Sequence, residues 1–266
     1  MITVLVLCYT WQEQTSKEEE HLMPRFFVAG TNLAGGMVYI RGRDADHIRV
    51  LRIRPGEMVT VCDGDGSDYE CRLVNSEKGE AQLEIVRKKE CDTEPSIEVT
   101  LLCGLPKGND RTDYILQKAV ECGVTNIGFF QSNRCVAKLE DPQKKVERWQ
   151  RIAEEAAKQS GRGIIPEVAW AGDYVNALNE AIHTDLPLMM YETGERVPLN
   201  EALKKSREVK TACIITGPEG GFESYEADMA RKLGIQVCSM GNRILRCETA
   251  PIVALTALMY ESGNLS

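Results

Sequence analysis

From Met23 to about residue 92 the apolar positions come in short runs, 37–40, 58–62, 69–74 and 81–86. They are separated by Asp63-Gly64, Asp65-Gly66 and Lys78-Gly79. Short strands at close spacing with glycine turns predict a small β-barrel. One helical piece, 44–51, interrupts them, and the polar, proline-bearing stretch 90–95 reads as a linker. Beyond it the rhythm changes. Apolar runs at 97–103, 127–130, 187–191, 212–216 and 236–240 are interleaved with helical patterns. The helices are expected at 109–122, 142–160, a stretch ending at Gly234, and 248–262. Strands alternating with helices predict an α/β domain with a mainly parallel sheet. The chain therefore divides into a tail (1–22), a small barrel (23–92) and an α/β domain (93–266).

Two helices carry more detail. At 100° per residue, Arg148, Arg151, Glu155, Lys158 and Arg162 share one stripe, and Trp149, Ile152, Ala153, Ala156 and Ala157 share another. The first stripe reads as a phosphate-facing surface or as a plain solvated face. The last helix is apolar from 250 to 259 except for Thr256, so it is expected to be buried on every side, as at a subunit interface. A homodimer is the expectation.

Composition narrows the function classes. The 266 residues are 43% hydrophobic and 27% charged, which suits a globular chain and excludes collagen, coiled coil and wholesale disorder. No apolar run approaches the roughly 20 residues of a spanning helix, so no membrane partner is expected. Residues 1–22 lack a basic start and run into acidic stretches, unlike a secretory signal. They read as a dispensable tail, with Met23 as the natural start. Ten cysteines without a Cys-x-x-Cys, and three scattered histidines, point to buried thiols in a reducing cytoplasm rather than to a metal site. The net charge of −8 argues against indiscriminate grip on nucleic acid. Local potential decides binding, however: residues 41–54 hold five Arg against two Asp, a surplus of basic charge.

The stretch Thr216-Gly217-Pro218-Glu219-Gly220-Gly221 follows an apolar strand. Glycines at a strand's carboxyl end let the backbone approach a ligand closely. Neither Gly-x-Gly-x-x-Gly nor a Gly-Lys-Ser/Thr phosphate loop occurs, which disfavours a nucleotide-binding enzyme. Taken alone, the segment also fits a tight turn with no ligand. A second loop, Met240-Gly241-Asn242-Arg243-Ile244-Leu245-Arg246-Cys247-Glu248-Thr249-Ala250, follows another strand, and the run 187–191 has a polar exit at Glu192. Three strand ends closing on one place would form a ligand crevice.

Together these two loops resemble the signature of SPOUT-class S-adenosylmethionine methyltransferases, and more narrowly the ribosomal RNA small subunit methyltransferase E family. Further matches are Pro24-Arg25-Phe26-Phe27-Val28, the stretch from His47 to Gly56, Pro106-Lys107-Gly108, Lys118 to Val124, and Arg148-Trp149 through Arg162. They span 23 to about 260. Met240, Cys247 and Asn133 depart from the usual residues. The resemblance implies a PUA-like barrel for RNA, then a trefoil-knotted methyltransferase domain, a cytoplasmic homodimer and S-adenosyl-L-methionine as cofactor without a metal. The implied reaction is methylation of N3 of a uridine, uridine-1498, in 16S rRNA of the small ribosomal subunit.

The chemistry matches the residue types. Uracil N3 becomes nucleophilic once its proton leaves, and the anion needs a fixed cation beside it. Arginine supplies permanent charge in rigid geometry. Arg246 is the first candidate, with an ion pair to Glu248 or Glu219 as the structural alternative, and Arg25 is a further candidate. Glu248 or solvent would take the proton. For the cofactor the resemblance points to Leu188, Tyr191, Gly217, Glu219, Gly220, Gly221, Met240, Gly241, Ile244 and Leu245, the two apolar residues flanking the adenine. For RNA it points to Arg25, Arg49, Arg52, Arg54, Lys107, Arg134, Arg148 and Arg162. Phe26 or Phe27 is placed to stack on a base, with Phe27 expected inward. Methylation of a ribose 2′-OH and a non-catalytic RNA-binding assembly role are the alternatives.

Overall fold

A computed structural model describes residues 23–28, 33–64 and 66–265. The tail expected at 1–22 lies outside the described residues. The described residues fall into two compact units, one up to Glu94 together with Gly161–Ile164, the other Pro95–Ser160 together with those from Ile165 onward.

In the first unit the strands are β1 (Arg25–Phe27), β2 (Leu33–Ala34), β3 (Met37–Arg41), β4 (Met58–Cys62), β5 (Ser67–Glu77) and β6 (Glu80–Glu90), with helix α1 (Arg43–Val50) after β3. They make one mixed sheet in the order β1-β4-β5-β6-β3-β2, in which only β1 and β4 pair in parallel. The long β5–β6 hairpin turns at Lys78-Gly79, where Gly79 takes φ 79°. Alternate residues Val38, Ile40, Val59, Val61, Cys71, Leu73, Ala81 and Leu83 close over Ala45 and Ile48 of α1. This period-two pattern is what the sequence showed. Phe26, at 1% exposure, is the inward ring, and Phe27 is only half-buried, the reverse of expectation. The parallel pairing sets Phe26 opposite fully buried Val61.

The second unit holds β7 (Glu98–Gly104), α2 (Asn109–Glu121), β8 (Asn126–Gln131), α3 (Pro142–Ser160), β9 (Glu167–Asp173), α4 (Tyr174–Ala181), β10 (Leu186–Met190), β11 (Val197–Pro198), α5 (Leu199–Ala202), β12 (Thr211–Thr216), α6 (Ser224–Lys232), β13 (Gln236–Ser239) and α7 (Thr249–Glu261). Its seven strands are all parallel, in the order β11-β13-β10-β12-β7-β8-β9. Strands covered on both faces read as continuous apolar runs, as in β7, β8 and β12, whose interiors are buried. The sequence did not announce β9, an edge strand paired only with β8 and buried at one residue in seven, Val168.

Helix α3 starts at Pro142, a residue pre-set for a first helical position, and Asp141 Oδ1 accepts the Lys144 N–H at 3.2 Å. Trp149, Ala153, Ala156 and Ala157 are buried along the expected inner stripe. The outer stripe stops short of its expected end. The helix closes at Ser160, Gly161 turns the chain with φ 75°, and Arg162 goes inside the first unit. Helix α7 buries Pro251, Ala254, Leu255, Leu258 and Met259, while Val253, Thr256 and Tyr260 are exposed. Within the single chain it is thus covered on one side only.

Candidate functional site

In a parallel sheet all carboxyl ends meet one edge, the place where α/β sheets take ligands. Strands β13, β10 and β12 are neighbours there. Their exits enclose a cavity of about 490 Å³, within the range of small-molecule sites. Of the residues singled out from sequence, it is lined by Tyr191, Gly217, Glu219, Gly221, Met240, Gly241, Ile244, Leu245, Arg246 and Glu248. Two others are absent from its wall. Leu188 is fully buried within β10, and Gly220 packs against Arg134. The wall also includes residues that sequence reasoning passed over, among them Arg111 and Arg196. Arg111 had a usable signal. It opens the helix after β7, a fourth strand end, close behind Pro106-Lys107-Gly108.

The loop after β12 bends back on itself through its glycines. Gly221 has φ 66° and donates its N–H to the Pro218 carbonyl at 2.9 Å. A Cβ there would lie 2.3 Å from Glu192 Oε1, the tip of an exposed side chain that can swing aside, so it is the positive φ that calls for glycine. A Cβ on Gly104, the last residue of β7, would stand 2.5 Å from Pro218 Cδ. Arg134 holds the loop from outside, donating to the Gly220 carbonyl at 3.0 Å and to Glu223 at 2.8 Å. Glu223 and Glu226 then form a capping box at the start of α6.

Charge is arranged around two carboxylates. Glu219 Oε1 accepts the Lys107 backbone N–H at 2.7 Å and a hydrogen bond from the Arg111 guanidinium. Glu248 lies 3.6 Å from Arg111 Nε and 4.0 Å from Arg246 Nη1. Burial pushes the Glu248 carboxyl up. Hydrogen bonds from its own backbone N–H and the Cys247 thiol, with the charges of Arg111 and Arg246, outweigh this and hold it below the ordinary range. The hydrogen bond to Glu219 raises the Arg111 guanidinium further against desolvation. Burial pushes the Cys247 thiol up to about 12, so it is a neutral donor at physiological pH. The Arg246 side chain is 82% exposed, and Ile244, at 85%, is the most exposed large apolar side chain described.

The other arginines singled out have different settings. In the first unit Arg25 makes a two-pronged contact with Asp68, at 2.8 and 2.6 Å, and donates to the Arg162 carbonyl. Arg162 is 3% exposed and clasps Glu94 at 2.6 Å, so it presents no surface to RNA in this fold. On the same unit Arg49, Arg52 and Arg54 are exposed, and Arg52 is the one described non-glycine residue with positive φ, 58°. In the second unit Lys107 is exposed, and Arg148 is held by Asp113. Among the described residues no group of His, Cys, Asp and Glu side chains is placed to hold a metal ion. No helix there is long and apolar enough to cross a membrane.

Residues 93–259 match the family described as RNA methyltransferase domain, and residues 40–86 the RNA methyltransferase PUA domain. The chain is 33% identical over 233 residues to ribosomal RNA small subunit methyltransferase E of Bacillus subtilis strain 168, covering 85% of this chain and 91% of the relative. It is 35% identical over 216 residues to the protein of the same name from Mesomycoplasma hyopneumoniae strain 232, covering 79% and 88%. Among solved structures, ribosomal RNA small subunit methyltransferase E from Neisseria gonorrhoeae bound to S-adenosyl methionine is similar with a TM-score of 0.81 and 35% identity, over 90% of this chain and 97% of that one. Glycine-bearing strand exits around one cavity, on a chain that joins a mixed-sheet unit to a parallel-sheet unit and has these relatives, place the protein in the ribosomal RNA small subunit methyltransferase E family.

Proposed function

We propose that the chain transfers a methyl group from S-adenosyl-L-methionine to N3 of uridine-1498 of 16S rRNA. Family membership makes it an S-adenosylmethionine-dependent methyltransferase of ribosomal RNA; the position and the atom are our reading. One observation carries it: the loops after β10, β12 and β13 converge on a single cavity with Arg246 at its rim.

The cavity suits the donor. It is large enough for a nucleoside joined to an amino acid, and Gly217, Gly221 and Gly241 offer main-chain surface for the adenine and ribose. Leu245 and Ile244 supply apolar cover, and Glu192, Glu219 and Glu248 give a negative surround for a cation. When bound, the donor presents a methyl group already activated by positive sulfur. Arg246, in solvent and loosely partnered, is the cation for the uracil anion. Glu248, held below its ordinary range, is a poor acceptor for the N3 proton, which therefore leaves to solvent once Arg246 stabilises the anion. On the first unit Arg49, Arg52 and Arg54 grip phosphates, and Lys107 adds charge on the second. Arg25 is a strut of its own unit, its charge met by Asp68.

The exposed side of α7, with Val253 and Tyr260, supports a homodimer, which sedimentation would test. The order of β13 between β10 and β11 supports a trefoil knot. For the reaction, the purified chain is assayed on small subunits lacking the modification, and the methylated atom is mapped by mass spectrometry of nucleosides. N3-methyluridine is expected. A ribose 2′-O-methyl product would replace the reading with the ribose alternative, and failure to bind either donor or demethylated product would leave an assembly factor.

A further inference from the structure

Arg111 lines the cavity from the first turn of α2, outside the three strand exits that form most of the wall. Its guanidinium meets a carboxylate from each of two loops, donating to Glu219 Oε1 and lying 3.6 Å from Glu248 Oε2. Glu219 also receives the Lys107 N–H, so it is anchored on two sides by the β7–α2 connection. Glu248, whose side chain is 17% exposed, stands between Arg111 and Arg246. Neither arginine is within hydrogen-bond length of it, but they sit unequally: Arg111 Nε is 3.6 Å from Oε2 with its side chain 38% exposed, whereas Arg246 Nη1 is 4.0 Å from Oε1 with its side chain 82% exposed. A carboxylate with one cation in place draws a second less strongly, because the first cancels much of its field. Remove Arg111, and Arg246 becomes the nearest cation left to a half-enclosed anion.

We propose that Arg111 is a positioning residue that ties the 217–221 loop to the 240–248 loop through Glu219 and Glu248, and by occupying Glu248 keeps Arg246 free for the substrate anion. The second half rests on the reading that Arg246 serves uracil. A purely structural tie would weaken donor binding and nothing else. A tie that also reserves Arg246 has a second signature, since deleting the negative charge of Glu248 should relieve the loss of Arg111.

The test compares wild type, Arg111→Ala, Arg111→Lys and Arg111→Ala/Glu248→Gln on small subunits lacking the modification. Single-turnover methylation is measured alongside calorimetry with S-adenosylhomocysteine. Arg111→Ala is expected to lose about tenfold or more in rate and several-fold in affinity. Lysine, a point charge without the fork, is expected to restore only part of both. In the double variant the rate should recover most of its loss while the affinity, which also depends on Glu219, stays low. A crystal structure of Arg111→Ala should bring Arg246 within hydrogen-bond distance of Glu248. An unchanged rate in Arg111→Ala, a loss that Glu248→Gln does not relieve, or an Arg246 still 4 Å away would each overturn the inference. If Arg111→Ala does not fold, Arg111→Lys and Arg111→Lys/Glu248→Gln give the same comparison. A wild type that binds S-adenosylhomocysteine but does not methylate N3 would refute the proposed reaction instead, and the crystal and calorimetric arms would still judge the tie.

Discussion

In the first unit Arg162 is 3% exposed and clasps Glu94 at 2.6 Å, and Arg25 is 11% exposed against Asp68 at the same distance. At the cavity of the second unit Arg246 keeps 82% of its side chain in solvent, 4.0 Å from Glu248. One residue type thus serves two ends. A guanidinium taken out of water needs a carboxylate in good geometry, and the pair then fastens distant segments. A guanidinium left in water at a concave site keeps its charge available for an incoming anion. On the proposed role of Arg246, an arginine that serves the reaction is set apart by what it lacks, a tightly seated partner, rather than by its place in a motif.

The largest expected effect attacks the buried side of that contrast. Arg162→Ala should destabilise the first unit by about 3 kcal/mol or more, since it leaves Glu94 enclosed without its cation. Urea unfolding followed by a probe on that unit measures it, and a loss under about 1 kcal/mol would erase the distinction between the two classes. Arg246→Ala should do the opposite, lowering single-turnover rate by about 100-fold or more while stability moves by less than about 0.5 kcal/mol. A stability loss without a rate loss would return Arg246 to the structural class. Replacing Arg49, Arg52 and Arg54 together by alanine should flatten the dependence of log affinity for RNA on log salt, by roughly 0.7 for each phosphate no longer neutralised. An unaltered slope would take these three exposed residues out of the RNA interface. The smallest effect concerns Glu248. Its folded carboxyl titrates below the ordinary value, so its contribution to stability is complete above that value and fades as pH falls through the lowered one. Wild type should therefore lose stability below about pH 4 more steeply than Glu248→Gln, in parallel acid-unfolding curves.

Much of the fold was legible because its signals are local. Helix α3 runs over the expected 142–160, and β4 over the expected 58–62. Both owe this to strong patterns with clear stops, Pro142 and Gly161 for the helix and Asp63-Gly64 for the strand. Strand β9 and the short helix α4 were not legible. An edge strand with one buried residue carries little apolar signal, and eight residues of α4 are too few for a firm period. The return of Gly161–Ile164 to the first unit was invisible for another reason. Nothing in four residues says that the Arg162 carbonyl will meet Arg25, 137 positions away.

The same division runs through the candidate site. Local order along the chain determined that apolar strands would end in glycine-bearing exits at 217–221 and 240–245, and the resemblance of those two stretches to a methyltransferase signature pointed to a donor cavity. Alternation, periodicity and backbone freedom are properties of neighbours, so a linear reading reaches them. Tertiary structure alone decided that β10, β12 and β13 would lie side by side, that Arg111 would reach both Glu219 and Glu248, and that Arg162 would be enclosed while Arg246 was not. Those outcomes depend on which remote carboxylate arrives within a few ångströms, and electrostatic attraction falls off with distance through space rather than along the chain.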